Sequence, residues 1–169
     1  MGISAAQFRR WRWALLLVFF VFFVLLTGAV NCLTFPLHES DKAEAARLLV
    51  AWIVEGRSLP GFGEEYPDAK RMPGMKRFFV ICDFLPADVL LSNHPRVQRI
   101  SRNEFDSAFE KHGFKDTDYI FIELKSESGM ELMVEFENGF GGLAGHGYRF
   151  EFRRKVWGLR ATGKLLWVA

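Results

Sequence analysis

Cysteine is nearly absent. Two copies in 169 residues exclude a disulfide framework and any cysteine-rich metal module. The four histidines, His38, His94, His112 and His146, have no zinc-ligand spacing, and His-Glu-x-x-His does not occur. No metal and no cofactor is therefore expected. Gly-x-Ser-x-Gly is missing, so no local signature places a nucleophile. No Asn-x-Ser/Thr sequon occurs either, which favours a bacterial source over a eukaryotic secretory route. Charge is missing from a long stretch. Between Trp13 and Leu37 no side chain is charged, and only Cys32 is titratable.

What charge there is divides unevenly. Arg9, Arg10 and Arg12 precede the uncharged stretch without a single acid. From His38 onward 19 Lys+Arg face 20 Asp+Glu, so 19 − 20 = −1, and the total is +2. A nearly neutral main body excludes a globally basic nucleic-acid binder.

The uncharged stretch is dense in Leu, Val and Phe from Ala14 to Leu26. About 20 apolar residues are enough for a helix to cross a bilayer core of roughly 30 Å. Trp11 and Trp13 stand where an interfacial aromatic belt would lie. The sequence thus predicts a basic cytoplasmic tail over 1–12, a transmembrane signal anchor over 13–37 and an extracytoplasmic domain over 38–169. The positive-inside rule gives this orientation, with the protein in the inner membrane and the domain in the periplasm. A cleaved signal peptide is the alternative, but the apolar run continues past Leu26 and no small-x-small cleavage site follows. Gly28 and Cys32 form a small-xxx-small pair suited to helix–helix contact in the membrane. The expected partners are the lipid bilayer and other membrane-protein subunits.

Past the membrane, Ala45, Leu48, Leu49, Trp52 and Ile53 follow helical spacing, which predicts a helix over about 40–55 with Asp41 and Glu44 as its capping box and Gly56 as its stop. Pro and Gly punctuate a loop over 57–76. Phe78–Phe84 is apolar on both faces, as in a central strand. Residues 86–100 carry no clear period. Ser101 and Glu104 form a complete capping box, and Ile100 with Phe105 a hydrophobic staple, so a second helix ends at Gly113. Strands follow at 119–125, 130–137 and 146–153, with Glu or Arg outward at alternate positions. A last strand lies within 157–168, kinked at Gly163.

Adjacent strands with segregated helices indicate an α+β fold: two helices packed on a curved antiparallel sheet of four to five strands. In outline this is similar to the cystatin or nuclear-transport-factor-2 shapes, an analogy of architecture that carries no function.

Two near-motifs fail on context. Gly158, Gly163 and Lys164 match a P-loop, but Leu165 replaces Ser/Thr and no residues remain for the helix. Five glycines between Gly139 and Gly147 follow a strand but precede another strand, which is not a dinucleotide fingerprint. They read either as a wide turn or as bare backbone that approaches a partner, with Phe140, Leu143, His146 and Tyr148 as the candidate binding residues. Cys82 reads as a small core residue. The sequence supports a non-catalytic accessory or interaction subunit of a larger membrane complex. A pocket protein or minimal enzyme using His146, Tyr148 and Glu123 is the alternative, and a cystatin-like inhibitor with an apolar wedge at Leu59–Phe62 is the third reading.

Overall fold

Helix α1 runs without interruption from Ala5 to Cys32. Ala, Leu, Arg and Gln favour it and no proline interrupts it, and the Thr27 hydroxyl donates back to the carbonyls of Phe23 (2.8 Å) and Val24 (3.0 Å). The computed structural model describes residues 5–64, 78–112, 118–140 and 144–168. The chain divides into two compact units, Met1–Thr34 and Phe35–Ala169.

Among the described residues no helix is long and apolar enough to cross a membrane. The transmembrane anchor over 13–37, the single-pass membrane topology and the inner-membrane location with a periplasmic domain are therefore not supported.

The second unit begins with helix α2, Glu39–Val54. Its N-cap is His38, whose backbone N–H donates to the Asp41 carboxylate at 2.8 Å. The box thus closes one turn earlier than the Asp41–Glu44 pairing expected from sequence. Asp41 is buried and also takes the Arg154 guanidinium, which ties the start of α2 to the sheet. Gly56, at φ 65°, terminates the helix in the left-handed region.

The sheet has six strands: β1 Phe78–Ile81, β2 Val97–Ile100, β3 Asp118–Ser128, β4 Glu131–Phe140, β5 Ala144–Lys155 and β6 Gly158–Val168. Helix α3, Arg102–His112, separates β2 from β3. The spatial order is β2-β1-β3-β4-β5-β6, and β1 is parallel to both its neighbours. The sheet is therefore mixed, not antiparallel, and holds six strands instead of four or five. The cause is β2, four residues without alternating hydrophobicity. It places a β2–α3–β3 crossover over β1, and such a crossover joins parallel strands.

The two domain helices lie on opposite faces of the sheet. Phe78 and Val80 of β1 pack in the main core with α2, whereas Phe79 and Ile81 pack with Phe105 of α3. The main core joins Ala45, Leu49, Trp52 and Ile53 to Ile120 and Ile122, to Leu132, Val134 and Phe136, and to Tyr148, Phe150 and Phe152. Trp52 meets Tyr148, Phe150, Phe62 and Phe136 edge-on, with ring centroids 5.3, 5.4, 5.8 and 6.1 Å away. These rings fill the space between helix and sheet. Helix α3 covers only the β2-β1-β3 end. Its capping box is formed as expected: the backbone N–H of Ser101 donates to Glu104 at 2.8 Å, and Ile100 and Phe105 share the smaller core.

Two details matter for the open end of the sheet. Residues 59–62 form a tight turn with Leu59 and Phe62 buried, so no exposed wedge exists there. This turn lies on the outer edge of β6, where the Ala161 N–H donates to the Pro60 carbonyl at 2.7 Å. The irregularity in β6 falls at Leu165–Trp167, opposite Gly147–Tyr148, and Gly163 keeps regular register with Phe150. Gly163 is required for another reason: a Cβ there would run into the rings of Phe150 and Phe62.

Candidate functional site

The face of β3–β6 turned away from α2 is a grid of charges. Successive inward residues leave Glu131, Glu135 and Glu137 outward on β4, and Arg149, Glu151 and Arg153 outward on β5. Opposite charges meet across the strands as the sequence suggests. Arg149 Nε donates to Glu135 at 2.8 Å, and Lys125 approaches the same carboxylate at 3.0 Å. Arg153 reaches Glu131 at 2.9 Å and Glu151 at 2.6 Å. On β3, Glu123 binds Arg102 at 2.8 Å and Lys125 at 2.6 Å. Partial burial raises the Glu135 pKa, but hydrogen bonds from Arg149 and Lys125 outweigh it and hold the carboxyl below its ordinary value.

This compensation stops at β6. Arg160 stands directly opposite Arg153, and Lys164 directly opposite Arg149. Like charges in that position repel. Among the described residues neither Arg160 nor Lys164 has an acid within ion-pair distance. Beyond Lys164 the strand loses its alternation. Leu165, Leu166, Trp167 and Val168 are exposed at 49, 38, 39 and 60%.

Among the described residues the edge itself is open over the same stretch. In an antiparallel pair, N–H groups point alternately toward and away from the partner strand. The Ala161 N–H points outward, to Pro60. By alternation those of Gly163 and Leu165 point outward too, and among the described residues no backbone group takes them.

The glycine-rich segment lies against this edge. A Cβ at Gly147 would fall on the Trp167 indole, and one at Gly145 would press on the same ring and on the Asn138 carbonyl. Both glycines are buried. Their spacing puts them on one strand face, where they form a flat bed for Trp167. Gly139 does the same for the Tyr119 ring. Glycine thus serves aromatic packing here, and the aromatic rings occupy the bare backbone.

The sequence-derived candidates separate accordingly. The backbone of Phe140 pairs with Ala144, but its side chain lies outside the described residues, as does Leu143 entirely. Tyr148 is buried in the main core, stacked on Phe136 and Phe150, and acts there as a packing residue. His146 is half-buried; its N–H donates to the Asn138 side chain at 2.9 Å, and it pairs with Val168 of β6. His146 therefore adjoins the open edge, while Glu123, on the outward face of β3, and Tyr148, facing the core, are not brought together. A concavity of about 300 Å³ does lie beside Glu123, lined by Ile81, Phe84, Arg102 and Phe121, without His146 or Tyr148. Cys82 is buried, and burial pushes its thiol up to about 12, which keeps it protonated. Gly28 has open space around its Cα, and Cys32 is an exposed free thiol on α1. The sequence reading missed Lys164–Val168. The visible signal was four consecutive apolar residues in a strand that otherwise alternates.

Comparison with protein families, curated proteins and solved structures finds no match for this chain.

Proposed function

We propose that residues 35–168 form a protein-interaction domain that receives an extended segment of another protein along the outer edge of β6. The observation that carries this reading is the open edge at Gly163 and Leu165, flanked by exposed apolar side chains. Unpaired strand edges add strands readily, and proteins normally blunt them with charge, proline or a covering loop. Here the Pro60–Gly61 turn covers the edge at Ala161, and among the described residues no backbone group covers it beyond that point. The filled core, the ion-paired Glu123 and the protonated Cys82 favour binding over catalysis.

A photo-crosslinking side chain placed at Leu166 or Val168, in the full chain and in the cells that make it, tests this. Both sites should label the same discrete partner, and a crosslinker at exposed Glu110 on α3 should not. Leu165→Pro removes one outward N–H without touching the bonds to β5 and should abolish labelling. Labelling that persists undiminished in Leu165→Pro, or that is equal at Glu110, would refute the reading.

A further inference from the structure

The charge grid states what kind of segment fits. From β4 outward the columns run acidic (Glu131, Glu135), then basic with Glu151 between Arg149 and Arg153, then basic (Arg160, Lys164), and then end. Arg149 and Arg153 each have a glutamate on their inner side. Arg160 and Lys164 have cations on their inner side and, among the described residues, no acid on the outer side, where Gly61 of the covering turn packs beside Arg160. The missing column is acidic.

The opposite face of the same strand carries a different requirement. Gly163 and Leu165 continue the apolar, α2-facing set of Leu159 and Ala161, and Leu165 lies opposite buried Tyr148. A residue paired beside Leu165 on that face meets an apolar neighbour. A strand next to Lys164 on the charged face meets a cation. The covering turn at Pro60 limits backbone pairing to 163–168, so the strand leaves the edge close to Arg160.

Resting on the strand-addition reading above, we infer that the occupant is an extended acidic segment of a partner protein. It alternates carboxylates, which face Lys164, with apolar residues, which face Leu165. A second copy of this chain fits worse. An antiparallel β6–β6 pairing would bring the Arg160 and Lys164 side chains of both copies onto one face, adding like charges to two like-charge pairs already present.

Amide hydrogen exchange on the full chain, with synthetic peptides of about eight residues as probes, separates these ideas. The first peptide alternates valine and glutamate, and the second valine and lysine. The glutamate peptide should slow exchange at Gly163 and Leu165 and leave α3 unchanged. The lysine peptide should bind about ten-fold more weakly or less. Lys164→Glu should reverse the order of the two. High salt should weaken the glutamate peptide, because the ion pairs lie at an exposed edge. Equal protection by both peptides would overturn the acidic-partner inference and leave strand addition standing. Protection by neither would overturn both. Protection at Gly163 and Leu165 that appears without peptide and rises with protein concentration would overturn the inference in favour of self-pairing.

Discussion

The two ends of β6 differ although both hydrogen-bond to β5 along their length. At residues 159–161 the side chains alternate, Leu159 and Ala161 are buried, and the Pro60–Gly61 turn closes the outer edge. At 163–168 the edge is open among the described residues and apolar side chains stand exposed. A strand is stabilised by one neighbour, but it is finished only by a second neighbour or a cap. The first half of β6 is finished within its own domain. Among the described residues nothing finishes the second half, which is why we propose the functional surface there.

The largest effect should come from uncovering the first half. Phe62 anchors the covering turn through edge contacts to Trp52 (5.8 Å) and Phe150 (5.2 Å). Phe62→Ala should cost about 3 kcal/mol and lower Tm by roughly 10 °C. It should also speed exchange at Ala161 until that amide resembles Gly163. A Tm within a degree or two of the parent, with Ala161 still protected, would show that the turn is held by something else.

Several elements of the fold were legible beforehand, and the reasons are local. The α3 capping box, the α2 stripe and the in–out alternation of Ile120–Leu124 and Leu132–Phe136 are short-range patterns, and each element formed where its pattern lies. What stayed hidden is non-local. Val97–Ile100 carries no period of its own and becomes a strand because Arg96 and β1 offer it a parallel ladder. Missing it meant missing the crossover, and so the parallel half of the sheet. The hydropathy of 13–37 pointed to a membrane span that the described residues do not support. At the candidate site, five glycines suggested a ligand loop because sequence spacing does not show that Trp167 folds back over two of them.

A smaller effect separates the compensated columns from the uncompensated one. Glu135 has a lowered pKa in the folded state. Its ion pairs therefore contribute stability above the unfolded carboxyl value of roughly 4.3, and that contribution is lost as pH falls through the lower folded value. Thermal melts of the parent and Glu135→Gln should differ by a few tenths of a kcal/mol to about 1 kcal/mol at neutral pH and converge below about pH 4. Lys164→Ala should not destabilise the domain at any pH, because it removes a like-charge neighbour of Arg149. A destabilised Lys164→Ala variant would mean that Lys164 already has an acidic partner within the chain.

The measurement closest to the central claim is amide exchange along β6 in the free full chain. The account predicts a protected Ala161 N–H, bonded to Pro60 at 2.7 Å, and near-intrinsic exchange at Gly163 and Leu165. Gly163 and Leu165 amides as protected as Ala161, at a protein concentration where the chain is monomeric, would contradict it, because the edge would then already be covered from within.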